Sequence, residues 1–353
     1  MADPAEVLIE ARGGLGLITL NRPKALNALS LGMIEAIETA LSGWAEDDRI
    51  GAVLIRSGGG KAFCAGGDVR AIATSGAGPE SQLLKERFFA AEYRLNYHIH
   101  TYSKPFLALI DGITMGGGCG LSLHGSHVIA TERTVLAMPE TVLGLFPDVG
   151  ATWFLNRLPG EMGVYLALCG VRLGANDLLP LGLAGHYVPS EAGAALIDSL
   201  AEGPYDPPTL AATLARHGGD PGGAVVALRR HDVDTLFAGA TVAAIAAALA
   251  GAGPGWPEEA LGVLRRASPT SLAITLRQLR LGRSLDLVRM FRTEYRLAVR
   301  CTRGHDFAEG VRAVLIDKDN APCWQPDRIE ALDDAAIAAY FFPFANPDDE
   351  LGL

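Results

Sequence analysis

Cysteine is scarce in this chain of 353 residues, and none of the five forms a CxxC pair. Cys64, Cys119, Cys169, Cys301 and Cys323 are too scattered for a disulfide framework or a zinc knuckle. An odd count in a large chain reads as reduced, intracellular thiols. Positive charge is also short: the net charge is −10, which argues against general nucleic-acid binding. A few local Lys and Arg can still hold the phosphates of a small anionic ligand.

Long runs of strongly apolar residues are missing too. The uncharged stretch from Thr235 to Pro257 reaches membrane-spanning length, but it is mostly Ala and Gly with too little Leu, Ile or Phe to insert. It reads as a buried or partner-facing helix. Met1 to Arg12 carries Asp3, Glu6 and Glu10, so neither a secretory signal nor an Arg-rich transit peptide is expected. The expectation is a cytoplasmic protein without a membrane span. No GK[ST] follows a glycine turn, and the spacing does not suit a Rossmann fingerprint. The eight histidines form no metal-ligand spacing, and His124 with His127 suits packing or capping, so no metal is expected.

What is present is a core-forming composition, 49% hydrophobic and 20% charged. Val7-Leu8-Ile9 and Leu15–Leu20 read as strands around a Gly13-Gly14 turn. Ile34, Ile37, Leu41 and Trp44 keep helical spacing after Leu31, and Ala52–Arg56 is a buried strand. Strand, helix and strand in that order suggest a mostly parallel sheet. A helix from Glu80 to His98 places Leu84, Phe88, Ala91 and Leu95 on one face. Phe106–Ile110 is the next buried strand, Leu121–His127 the helix behind a glycine triplet, and His127–Ala130 the strand after it. Beyond residue 200, turn signals give way to helical runs such as Ser271–Leu281 and Leu287–Arg300. The fold class is α/β, with residues 1–200 as a catalytic core and 201–353 as a mainly helical region packed on it.

Functional information concentrates in Ile113-Thr114-Met115-Gly116-Gly117-Gly118-Cys119-Gly120, Met138-Pro139-Glu140 and Phe146-Pro147-Asp148. A glycine triplet at a helix start can expose backbone N–H groups to an oxyanion. Ala65-Gly66-Gly67-Asp68 follows another buried strand and can aim a second donor at the same oxygen. As a plain alternative, both are tight strand-to-helix turns. Glu140 and Asp148 lie eight apart around Gly144 and Pro147, a spacing that points to a loop rather than one helix face. Beside apolar residues, two such acids can have separated pKa values and divide acid and base work. Taken singly, they are a helix-start acid and a capping Asp. Cys119 is more at home as small buried packing than as a nucleophile paired with His124.

These residues resemble the crotonase (enoyl-CoA hydratase/isomerase) superfamily, and within it the 3-hydroxyisobutyryl-CoA hydrolases. The resemblance runs from Leu20-Asn21-Arg22-Pro23-Lys24-Ala25-Leu26-Asn27-Ala28-Leu29 to Glu309–Asp319. Its most specific stretches are Phe63–Asp68, Ile113–Leu121, Met138–Thr141 and Gly144–Gly150. Ser268–Leu272 and Arg303-Gly304-His305-Asp306-Phe307 lie outside the generic core and favour the hydrolases. The resemblance implies a crotonase-like ββα spiral core with a helical C-terminal region. It implies that Gly67 and Gly117 supply oxyanion-hole N–H groups, that Glu140 and Asp148 are the catalytic acids, and that Glu92 contacts substrate.

The implied reaction is hydrolysis of a short β-hydroxyacyl-CoA, foremost 3-hydroxyisobutyryl-CoA in valine breakdown. Glu140 would activate a water or attack directly, and Asp148 would orient it and assist thiolate departure. Coenzyme A is then part of the substrate, and no separate cofactor is implied. Arg22, Lys24, Lys61, Arg70 and Lys318 are candidates for its phosphates, each also an ordinary surface charge. Family hydratases pair Glu140's counterpart with a second glutamate just after the triplet; here that position is Gly120, which can neither hold a water nor move a proton. The alternatives are a hydratase or isomerase using Glu140 alone, and a silent acyl-CoA-binding protein. A homo-oligomer is left open.

Overall fold

The computed structural model describes residues 5–76 and 78–353. The acidic residue Asp3 of the N-terminal reading therefore lies outside the described residues. The chain divides into two compact units, one of residues 1–67, 94–137 and 172–227, the other of 68–93, 138–171 and 228–353.

The first unit is built on a repeat of strand pairs. After an antiparallel hairpin of β1 (Val7–Arg12) and β2 (Leu15–Leu20), helix α1 (Leu31–Ala45) crosses to β3 (Ala52–Ser57). Ser30 caps α1 by accepting from the Met33 N–H, and Ile34, Ile37 and Leu41 are buried as their spacing requires. From here each long strand is followed by a short one: β3 by β4 (Ala62–Cys64), β5 (Phe106–Ile110) by β6 (Ile113–Met115), and β7 (His127–Ala130) by β8 (Val135–Ala137). The long strands join a six-stranded sheet of order β1-β2-β3-β5-β7-β9, closed by β9 (His186–Tyr187). The short ones form a separate sheet, β4-β6-β8. All pairings after the hairpin are parallel. This is the expected ββα spiral.

Parallel strands are covered on both faces, which is why their sequences are almost continuously apolar. Leu15, Leu17, Leu54, Leu107 and Leu109 pack with Leu196, Ile197, Leu200, Leu210 and Leu214 in one cluster. Each buried Leu contributes about 1.5–3 kcal/mol by leaving water.

The described part of the second unit holds helices and loops. Helices α2 (Val69–Thr74) and α3 (Pro79–His100) begin in it, and α5 (Ala151–Leu155) follows the loop that carries Asp148. Two long C-terminal helices, Pro269–Gly282 and Leu287–Arg303, belong to it and start at Ser268 and Asp286, whose side chains cap them.

Three local expectations are corrected. The helix behind the triplet is α4 (Gly117–Leu123), which starts inside the triplet. Gly116, at φ 47°, makes the turn, and the glycines' poor helix propensity is offset by packing: a Cβ at Gly118 would sit 2.3 Å from the Cys64 carbonyl oxygen. On α3, Leu84 is 42% exposed, while Phe88, Phe89, Glu92, Tyr93 and Leu95 are buried, so the inward face carries acid chemistry among its apolar residues. Thr235–Pro257 is no single helix: Arg230–Leu236 and Val242–Gly251 are separated at Gly239, and Thr241 caps the second. Among the described residues, no helix is long and apolar enough to cross a membrane.

Candidate active site

In the first unit, two glycine turns meet. Strands β4 and β6 are parallel neighbours, and each runs at its C-terminal end into a glycine pair, Gly66-Gly67 and Gly116-Gly117. Gly66 has φ 113°, and a Cβ there would lie 3.5 Å from the Met115 carbonyl oxygen and 3.8 Å from the Gly117 nitrogen. The Gly66 carbonyl is held by the Leu29 N–H at 2.8 Å, which fixes the turn that presents Gly67. Gly117 opens α4, so its N–H has no acceptor within the helix. The two predicted donors are thus brought together as neighbouring turns. The third short strand, β8, leads within three residues to Glu140.

Cys119 is fully buried in α4, its thiol 3.6 Å from the Thr114 carbonyl and 3.7 Å from that of Ala137. It packs between the short strands. Gly120 is buried in the same helix.

In the second unit, Glu92, Glu140 and Asp148 are all at least 95% buried and close enough to shift one another. Glu140 opens a 3-10 turn, Glu140–Leu143, that ends on Gly144 in the left-handed region. This keeps its carboxyl off a regular helix face, as the spacing predicted. Asp148 does not cap a helix through its side chain; Oδ2 accepts from the Tyr93 hydroxyl at 2.6 Å. Glu92 and Glu140 each leave a buried oxygen, Oε1 and Oε2, without a protein partner. Such atoms cost about 1–3 kcal/mol unless something fills the need, as a substrate or water would.

The three carboxyls differ in how far burial is compensated. Desolvation pushes Glu92 and Glu140 well above the usual carboxylate range, and the nearby Asp148 charge adds to both shifts. Asp148 is also raised by burial, but only to about 6, because the Tyr93 hydroxyl and a backbone hydrogen bond favour its charged form. Burial thus favours the protonated forms of Glu92 and Glu140, while hydrogen bonds limit the rise of Asp148. The sequence reading gives the base role to Glu140; the hydrogen bonds to Asp148 support its charged form beside it.

The loop behind Asp148 is strained and tightly held. Val149 has φ 53°, rare for a β-branched residue, and Gly150 follows at φ 83°. Glu294, on the Leu287–Arg303 helix, secures it: Oε2 accepts from the Gly150 N–H at 2.6 Å. Oε1 accepts from the Thr152 N–H at 3.0 Å and its hydroxyl at 2.6 Å. Gln278 donates to the Pro147 carbonyl at 2.9 Å and to Thr152 Oγ1 at 2.6 Å. Sequence reasoning missed Tyr93, Gln278 and Glu294. The signal for Glu294 was legible: it is the acid on a face with Met290, Phe291, Leu297 and Ala298.

The candidate phosphate-binding cations are less coherent. Arg22 is engaged with Glu6 at 2.8 Å and with the Ala28 carbonyl at 2.9 Å. Lys24 and Lys61 are exposed on the first unit; Arg70, on α2, and Lys318, at φ 59°, are exposed on the second.

Known proteins share both the sequence and the fold of this chain. A family model described as enoyl-CoA hydratase/isomerase matches residues 15–341. The chain is 46% identical to a mitochondrial 3-hydroxyisobutyryl-CoA hydrolase of Xenopus tropicalis, over 98% of this chain and 91% of that one. The Homo sapiens protein of that name is 44% identical over 97% and 90%. Among solved structures, a carnitinyl-CoA dehydratase from Mycobacterium thermoresistibile superposes with TM-score 0.92 at 37% identity, covering 99% of both chains. An enoyl-CoA hydratase from Rhodobacter sphaeroides does so with TM-score 0.91 at 38% identity, covering 99% and 100%. The names of the curated relatives correct the cytoplasmic expectation, because those proteins are mitochondrial. That expectation rested on a few N-terminal charges, whereas an address is read from a segment separate from the fold. By the span of the family model and the identity to these relatives, the chain belongs to the enoyl-CoA hydratase/isomerase family.

Proposed function

We propose that this protein hydrolyses a short β-hydroxyacyl-CoA thioester, foremost 3-hydroxyisobutyryl-CoA, to the free acid and coenzyme A in valine catabolism. The curated relatives at 44–46% identity carry that hydrolase name. The observation that carries the reading is Glu140, buried with one oxygen unpartnered close to the buried Asp148, in a chain whose hydratase position is Gly120. A hydratase of this family needs a second glutamate there; hydrolysis does not.

In this reading, the Gly67 and Gly117 N–H groups polarise the thioester carbonyl and stabilise the tetrahedral oxyanion. Removing one such donor typically costs about 100- to 1,000-fold in rate. Glu140 and Asp148 work as a coupled pair across one proton-transfer sequence. One carboxylate takes the proton from the attacking water, and the other carboxyl returns one as the carbon–sulfur bond breaks. Water adds to the acyl carbon, the thiolate leaves with the sulfur electrons, and the products are acid and thiol. Glu92 accepts from the β-hydroxyl of the acyl group. Coenzyme A enters as part of the substrate, and no further cofactor takes part. Arg22, Lys24, Lys61, Arg70 and Lys318 are proposed for its phosphates; the last four are exposed, whereas Arg22 is engaged with Glu6.

The names of the two solved structures give hydration a specific claim as second reading. One panel separates the two. Free-thiol release is measured from 3-hydroxyisobutyryl-CoA and isobutyryl-CoA, and loss of the enoyl absorbance from crotonyl-CoA. Fast thiol release with slow hydration is expected. Hydration as fast as hydrolysis would overturn the reading, and binding without turnover of either would make the protein an acyl-CoA carrier.

A further inference from the structure

Glu294 is completely buried, 144 residues from the loop that it holds, and no step of the hydrolysis requires it to touch substrate. It meets four donors: two backbone N–H groups, the Thr152 hydroxyl, and the Gln278 amide at 3.2 Å. An ionised carboxylate accepts all four, whereas a proton on either oxygen would point at a donor. The two N–H groups belong to the entry of α5, where the first turn has no intrahelical acceptors. Glu294 therefore does from a distant helix what a local capping residue does elsewhere.

What it caps is the functional point. Gly150 and Thr152 follow directly on Asp148 and the left-handed Val149. A β-branched residue in that region costs on the order of 1–3 kcal/mol and persists only where its surroundings over-determine it. Tyr93 fixes the Asp148 carboxylate, Gln278 fixes the Pro147 carbonyl, and Glu294 fixes the chain immediately after. We propose that Glu294, as a carboxylate, is a positioning residue that holds the strained Asp148–Thr152 turn and so sets the aim of Asp148. The titratable groups facing it are Asp148 on the loop and Tyr93 on α3. Burial raises Glu294 to about 7 against the opposing pull of its hydrogen bonds, so the clamp loosens within the physiological range.

The proposal rests on the hydrolase reading for its kinetic arm alone, since amide exchange needs no substrate. Glu294→Gln keeps shape and volume but turns an amide NH2 toward a donor. Exchange at the Gly150 and Thr152 amides, corrected for intrinsic rates, should quicken in the variant. In the wild type, their protection should fall as pH drops through about 7, and in the variant it should no longer depend on pH there. Turnover of 3-hydroxyisobutyryl-CoA should fall by about 10- to 100-fold with KM within about threefold, the mark of a misaimed group. Thr152→Val removes one donor and leaves the backbone intact, so the pH at which protection is lost should move upward. That variant keeps the test alive if the Gln protein folds poorly. Unchanged exchange and unchanged turnover in folded Glu294→Gln would overturn the proposal, as would an unmoved midpoint in Thr152→Val. If the wild type releases no thiol, the hydrolase reading fails, and the exchange data still decide the clamp.

Discussion

The Tyr93 hydroxyl and Asp148 Oδ2 lie 2.6 Å apart with both side chains buried, and this bond, with a backbone hydrogen bond, favours the charged form of Asp148. Glu92 and Glu140 are similarly buried without a side-chain donor of this kind, and desolvation raises both well above the usual carboxylate range. Tyr93 is itself wedged between Phe89 and Phe291, with ring centroids at 5.9 and 6.3 Å, so its hydroxyl is aimed by packing. An aromatic scaffold thus holds the donor that supports the charged form of Asp148.

Removing that hydroxyl should move the acid limb of the pH–rate profile. In the proposed mechanism Asp148 acts as a carboxylate, so activity should fall as pH drops through its pKa of about 6. A hydrogen bond to a charged group is worth about 1.5–3 kcal/mol, equivalent to roughly one to two pH units. Tyr93→Phe should therefore shift the limb upward by about that much and recover most of its turnover at alkaline pH. A profile that keeps its midpoint would detach Tyr93 from the ionisation of Asp148.

Gly118 has no room for a methyl group. A Cβ would lie 2.3 Å from the Cys64 carbonyl oxygen and 3.1 Å from its carbon, both backbone atoms that cannot swing aside. Gly118→Ala should push α4 away from β4, at a cost of about 1–3 kcal/mol from overpacking. The same shift displaces Gly117, so turnover should drop more than stability alone explains. Chemical denaturation and thiol release on the folded fraction measure the two effects. Native turnover per folded molecule would mean that the Gly117 N–H is not a donor to substrate.

Glu92 supplies a test of substrate choice. Its Oε1 is buried without a partner, which suits an incoming hydroxyl. Isobutyryl-CoA lacks that hydroxyl, a mismatch worth about 1–3 kcal/mol, or roughly 5- to 150-fold in specificity constant. Glu92→Ala should lower kcat/KM for 3-hydroxyisobutyryl-CoA far more than for isobutyryl-CoA, collapsing the ratio between them. Equal losses on both substrates would make Glu92 a support for the fold instead.

Much of this arrangement is legible in the amino-acid sequence. The strands Leu15–Leu20 and Phe106–Ile110 have the bounds that their apolar runs suggest, and Gly66-Gly67 lies against the Gly116-Gly117 turn as two strand-end turns should. Periodicity misleads at α3, where Leu84 faces out and Glu92 faces in. A helix that contributes buried polar groups to a site breaks the pattern on which the reading depends. The burial of Glu294 is legible from its helix face, but the partners of Tyr93 and Glu294 are not. Their partners lie 55 and 144 residues away, and local spacing carries no information about such pairs.

Glu140→Gln should kill turnover and strengthen the protein at the same time. The variant keeps the volume of the side chain but can neither take nor return a proton, so hydrolysis should fall by about 100-fold or more. Its effect on stability follows from the direction of the shift. Burial raises Glu140 well above its unfolded value of 4.5. Below about pH 4.5 the acid is protonated in both states, and its ionisation takes no stability. As pH rises from there toward the raised native value, the unfolded chain releases the proton and the folded chain does not, so stability is lost. The glutamine has no proton to release and escapes that loss. The melting temperature of Glu140→Gln should therefore match the wild type near pH 4 and exceed it increasingly toward pH 8. A variant that is inactive and also less stable at pH 8 would show that the carboxyl is ionised and paired in the native state, against the direction of its shift.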